Sequence, residues 1–152
     1  MKKTLMTLFG LTLLILTGCS GEESELEGKS LGLSSQDPTV SKEEAAAEEI
    51  KFSSNMMVFD FKSADEVTLT HNGNEYPGKY TLEDNDLTVE VEDGDSSLKI
   101  FFTDFEETPD EYYSYTLSGE SAELDDSEGT SQLININNQL SSNMPYIFLE
   151  ES

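Results

Sequence analysis

From Lys51 onward the chain is written in short runs of alternating apolar and polar residues, each closed by a cluster of turn formers. A period of two sends successive side chains to opposite faces of a strand, so each run buries one face and exposes the other. Met57, Phe59 and Phe61 alternate, and Val67 and Leu69 follow after Lys62-Ser63-Ala64-Asp65. Asn72-Gly73, a pair suited to the positive φ of a tight hairpin turn, ends that second run. Tyr80 and Leu82 come next, then Leu87, Val89 and Val91 beyond Glu83-Asp84-Asn85-Asp86, then Leu98, Ile100 and Phe102 beyond Asp93-Gly94-Asp95. Later runs are Tyr113, Tyr115 and Leu117, a weaker one at Ala122 and Leu124, then Ile134 and Ile136, and last Tyr146 and Phe148 with their neighbours Ile147 and Leu149. Such a rhythm predicts an all-β domain, an antiparallel meander of about eight strands at roughly ten-residue spacing, folded as a barrel or a sandwich. Hairpin-length turns favour the meander, and closure into a small barrel would remove most exposed edges.

The segments before this domain read differently. Ser20 to about Val40 is rich in Gly, Ser, Glu and Pro, with only Leu26, Leu31, Leu33 and Val40 scattered through it. That composition predicts a flexible acidic tether over residues 19–40, reaching about 25–35 Å. Ser41-Lys42-Glu43-Glu44 is a capping box ahead of Ala45, Ala46, Ala47 and Ile50, so residues 41–152 are expected to form the β domain with a short helix at its start.

At the N-terminus, Lys2 and Lys3 precede an apolar stretch from Leu5 to Leu16. About a dozen residues are too few to cross roughly 30 Å of hydrocarbon, but they suit the apolar region of a signal peptide. The following Leu16-Thr17-Gly18-Cys19 resembles the lipobox of bacterial lipoprotein signal peptides. That resemblance implies cleavage after residue 18, with Leu16, Thr17 and Gly18 read by the signal peptidase and the Cys19 thiol carrying a diacylglyceryl group. It implies a protein lipid-anchored to the cell membrane on its extracytoplasmic face. Two acyl chains meet the requirement for stable anchoring. A reactive thiol is the weaker reading, because the residues downstream of Cys19 include Glu22, Glu23 and Glu25, which disfavour the thiolate.

Charge narrows the partners. The formal net charge is -24, and the basic residues are eight lysines without an arginine. Nucleic-acid phosphate and anionic headgroups are both recognised through Lys and Arg, so this surface excludes nucleic acid as a partner. The carboxylates concentrate in turns such as Asp84-Asn85-Asp86, Glu92-Asp93-Gly94-Asp95 and Asp125-Asp126-Ser127-Glu128. None follows the calcium-loop spacing, since Asp93 to Leu98 lacks a glycine at the sixth place, and no metal or other cofactor is expected.

A second resemblance lies in Phe59-x-Phe61, Val67-Thr68-Leu69, Gly78-Lys79-Tyr80 and Asn85-x-Leu87-x-Val89. These look like the small lipocalin-like domains of many bacterial lipoproteins, which implies a meander barrel, sometimes with an apolar cavity. The chain has no tryptophan, so the G-x-W strand of lipocalins is absent.

Catalytic inventories are nearly empty. His71, the single histidine, stands beside Asn72-Gly73 and is expected to be an exposed turn residue without a catalytic partner. Tyr80, Tyr112, Tyr113, Tyr115 and Tyr146 are the candidates for a ligand or partner surface, because each offers an apolar ring with a polar tip. The expected function is non-catalytic binding of a small apolar ligand or a protein partner. The alternatives are an accessory envelope role without a ligand and a hydrolase on the same tether. A hollow interior lined by phenylalanine and tyrosine favours a ligand; a packed interior with an exposed tyrosine patch favours a protein partner.

Overall fold

The computed structural model describes residues 24–35, 51–108, 112–141 and 144–150. Leu16 to Cys19 and the helix expected from Ser41 lie outside the described residues. In chain order the elements are β1 (Ser30–Ser35), β2 (Met57–Phe61), β3 (Glu66–His71), β4 (Asn74–Glu83), β5 (Asp86–Asp93), β6 (Ser96–Thr103), β7 (Glu106–Glu107), β8 (Tyr115–Thr116), β9 (Gly119–Asp125), α1 (Leu133–Leu140) and β10 (Tyr146–Glu150). All strand pairs are antiparallel, and the ten strands form one sheet in the order β7-β8-β10-β1-β2-β3-β4-β5-β6-β9, curled into a half-barrel.

The all-β meander from β2 to β6 follows the alternation in the sequence. Phe59, Leu69, Leu87, Val89 and Ile100 are all fully buried, and the residues between them face outward. Turn chemistry fixes the register. Asn72 and Gly73 have φ of 52° and 77°, and Asp84 and Asn85 have 51° and 69°, the left-handed values that two-residue hairpin turns require. One outward row runs across five strands as Glu66, Lys79, Glu90, Lys99 and Glu123, each opposite the next. In a chain so short of lysine, two are spent keeping like charges from facing each other across this row.

Three expectations are corrected. The first is the tether. Ser30–Ser35 is a strand that pairs with both β2 and β10, and Leu26, Leu31 and Leu33 enter the core. Gly, Ser and Glu dominate the composition here, but Leu31 and Leu33 sit two apart and share the inner face. Gly32 between them is buried because the outer side is also covered: a Cβ there would run into Met56 Sδ and come within 2.8 Å of the Phe52 ring. Glycine thus marks a close approach, not a flexible spacer.

The second correction concerns Ile134 and Ile136, expected in a strand. They belong to α1, where Leu133, Ile136 and Leu140 are buried and Ile134 is exposed. The spacing of three and four, not two, governs burial in this segment. The third is the run at Tyr113, Tyr115 and Leu117, which shrinks to the two residues of β8, while the weaker run at Ala122 extends to the seven residues of β9.

β8 pairs with β10, whereas β9, only two residues later, pairs with β6 at the far end of the sheet order. The chain therefore crosses the seam of the half-barrel at Leu117 and Ser118. α1 packs against β9 and β6, and Tyr146 Oη donates to the Gln139 carbonyl at 3.0 Å, tying the helix to the start of β10. Asp93 and Asp126 hold the loop before α1. Asp93 accepts from Ser131 Oγ at 2.8 Å, and Asp126 accepts from Gly129 N at 2.9 Å and Ser131 N at 3.1 Å.

Candidate functional site: a seam groove beside a filled interior

The interior is occupied by aromatic rings. Phe59 lies 5.8 Å from Phe102 and 5.7 Å from Phe148, Phe102 lies 5.1 Å from Phe148, and all three contacts are edge-on. Phe105 meets Phe148 at 5.3 Å and stacks on Tyr115 at 4.5 Å with planes 10° apart. Edge-on and offset contacts of this kind each add about 0.5–1.5 kcal/mol beyond the area they bury.

The five tyrosines of the expected surface are not brought together. Tyr80, Tyr115 and Tyr146 are buried members of the core cluster. Tyr80 packs edge-on to Phe61 at 4.7 Å, and its hydroxyl donates to the Ser63 carbonyl at 2.8 Å. Burial pushes the Tyr80 and Tyr115 phenols above their ordinary range, although Lys29 pulls Tyr115 partly back. Tyr112 and Tyr113 are half-buried beside β8, their rings 5.0 Å apart and nearly perpendicular. Alternation along the sequence does not distinguish a tyrosine on an inner face from one on an outer face.

His71 also departs from expectation. It closes the inward-facing series Val67, Leu69, His71 on β3 and is only 6% exposed. Asn72 Nδ2 lies 2.9 Å from Nε2 and can donate to it. Nδ1 has no hydrogen-bond partner among the described residues.

Among the depressions on the surface, two are the roomiest of those described. One, of about 340 Å³, lies over the bend of β4 at Pro77 and Gly78, with Lys79, Glu90 and Glu92 around it. Gly78 is needed at that bend, since a Cβ would strike the Glu90 carbonyl. The other, of about 380 Å³, lies at the seam where the chain leaves β8 for β9. Leu117, Gly119 and Glu120 form one wall and Met144, Pro145 and Tyr146 the other. Sequence reading identified Tyr146 but not Glu120 or Met144, because the groove exists only where two distant segments diverge.

Glu120 gives the seam groove its chemistry. It stands opposite Phe102, so it takes an inner-face position on a strand whose other inner residues are Ala122 and Leu124. Burial holds its carboxyl above the usual carboxylate range, against the pull of its own backbone N–H. Met144, which lines the same groove, is 45% exposed. An anionic oxygen next to an uncovered apolar side chain suits a long cationic side chain, which has a methylene stem and a charged tip. Among the described residues no group of three His, Cys, Asp or Glu side chains is placed to hold a metal ion, and no helix is long and apolar enough to cross a membrane.

Comparison of the chain with family models, with curated proteins and with solved structures found no match.

Proposed function

We propose that this is a lipid-anchored, non-catalytic protein of the extracytoplasmic membrane face, whose lipocalin-like β domain binds a protein partner on its surface. The anchor reading rests on Leu16-Thr17-Gly18-Cys19 and the short apolar run before it. The partner reading rests on the ring contacts that fill the interior, since the space a small apolar ligand would take inside the half-barrel is held by Phe59, Phe102 and Phe148.

The participation of β1 in the sheet adds a geometric consequence. Ser24, the first described residue, follows Cys19 by five positions, which span at most about 18 Å. An anchor at Cys19 thus holds the domain close to the bilayer. The strand ends nearest it are those beside the Ser24–Gly28 turn, namely Phe61, Glu66, Glu83 and Asp86, as the antiparallel register dictates.

Fractionation of cells expressing the full chain and its Cys19→Ala variant tests the anchor. Wild type should incorporate labelled fatty acid and sediment with membranes, and the variant should do neither. Membrane attachment of the variant equal to wild type overturns the anchor. Titration with a fluorescent fatty-acid probe tests the interior: saturable binding that is lost on Phe102→Ala would overturn the partner reading in favour of a ligand.

A further inference from the structure

The hairpin of β3 and β4, closed by the pairing of His71 with Asn74, carries the chain's one Asn-Gly pair at its tip. Asn72 and Gly73 stand at φ of 52° and 77°, and both are exposed. Gly73 has no Cβ to shield its nitrogen, and among the described residues no atom beyond its chain neighbours comes within 4 Å of where one would stand. In a two-residue hairpin turn the second central N–H lies outside the ladder, so this nitrogen is open to water. An asparagine side chain beside such a nitrogen can close on it and lose ammonia.

Asn85 supplies the contrast. It is exposed and left-handed too, at φ 69° in the turn from β4 to β5, but the next residue is Asp86, whose Cβ crowds the approach to the backbone nitrogen. Asn72 has no such barrier, yet its side chain is restrained. The Asn72 Nδ2 lies 2.9 Å from Nε2 of His71, which is fixed on the inner face of β3 and only 6% exposed. The Asn72 main-chain N–H also donates to the Ser54 carbonyl at 3.0 Å. Whichever ring nitrogen carries the proton, the carboxamide is held against its N-terminal neighbour. It must be released before Cγ can meet the nitrogen of its C-terminal neighbour.

We propose that Asn72 is a site of spontaneous deamidation in the folded protein, and that His71 sets its pace by holding the side-chain amide. The Gly73 nitrogen gives its proton to water and bonds to Asn72 Cγ; the Cγ–Nδ2 bond breaks, and Nδ2 takes a proton from solvent and leaves as ammonia. One water then opens the cyclic imide. Cleavage between Cγ and the Gly73 nitrogen leaves aspartate, whereas cleavage between the main-chain carbonyl carbon of residue 72 and that nitrogen leaves isoaspartate. Aspartate followed by glycine suits the same turn and adds a negative charge beside His71. Isoaspartate adds a methylene to the main chain inside a two-residue turn, so His71 and Asn74 cannot keep their register. The site is independent of the anchor and of any partner.

The full chain, incubated in detergent micelles at mildly alkaline pH and then mapped by peptide mass spectrometry, tests the site. Asn72 should convert to both aspartate and isoaspartate while Asn85 stays intact. A folded chain that keeps Asn72 intact over a time in which the urea-unfolded chain converts there overturns the proposal, as does conversion of Asn85 at the same rate. His71→Phe and His71→Leu, two apolar replacements of different shape, test the restraint. Either should speed conversion about two- to tenfold, the worth of one neutral hydrogen bond. Val67→Ala, which loosens the buried face at the other end of β3, is the control for general destabilisation. An unchanged rate in the His71 variants, or an equal acceleration in Val67→Ala, overturns the role of His71.

Discussion

The ammonium of Lys29 lies 5.5 Å from the centre of the Tyr115 ring, joining the segment just before β1 to β8, more than eighty residues away in the chain. The same ammonium is 3.8 Å from Glu150 at the end of β10. Lys29 is therefore a fastener between the first and the last parts of the sheet. Its position explains how a segment with few apolar residues is held in register.

That arrangement predicts a weakening of the fold in alkali. Burial alone would lower the Lys29 pKa, but the interaction with Tyr115 and the charges of Glu150 and Glu107 outweigh it, and the ammonium is held above 10.5. Burial likewise raises the phenols of Tyr76, Tyr80 and Tyr115 above 10.0. A group whose pKa is raised on folding contributes stability that is fully present below its unfolded value and is lost as pH rises through its folded value. Urea midpoints should thus be level from neutral pH to about 10 and fall steeply above it. Lys29→Met should lower stability by about 0.5–1 kcal/mol at neutral pH, as expected of a partly exposed pair.

Replacement of Leu31 by Ala distinguishes an inserted strand from a tether. Leu31 is fully buried, so the variant should lose about 2–5 kcal/mol of unfolding free energy, whereas a side chain in a solvated linker would cost almost nothing. Gly32→Ala should cost about 1–3 kcal/mol, because the new methyl has to displace Phe52 and Met56. Chemical denaturation of the two variants beside wild type gives both values.

Glu120→Gln should stabilise the protein at neutral pH. The Glu120 carboxyl is raised above 4.5 by burial, so its contribution is favourable when protonated and is lost as pH rises through its folded pKa. At pH 7 the ionised group is a net cost that glutamine removes, and the melting temperature should rise by about 1–3 °C. The gain should vanish near pH 4, where wild type is protonated.

Legibility in the sequence followed the scale of the interaction that decides each element. Met57 to Phe61 and Leu87 to Val91 were readable because strand alternation and turn chemistry are local, and Asn72-Gly73 names its own backbone conformation. Leu133, Ile136 and Leu140 carry a helical spacing, but Ile134 and Ile136 supply a competing period of two, and only contact with β9 and β6 selects between them. Glu120 was hidden among 32 acidic residues, since nothing local marks a carboxylate on an inner face.

By itself the sequence determined the antiparallel all-β character, the hairpin turns of the meander and a net charge of -24. Those properties depend on side-chain period, on backbone preferences of one or two residues and on net charge, all of which survive without knowledge of neighbours. Tertiary structure alone decided that Leu31 and Leu33 belong to the core, that Tyr80, Tyr115 and Tyr146 are packing residues, and that β9 pairs with β6 while β8 pairs with β10. Each of these depends on which distant strand lies alongside, and β1 finds its partners in β2 and in β10, more than a hundred residues later.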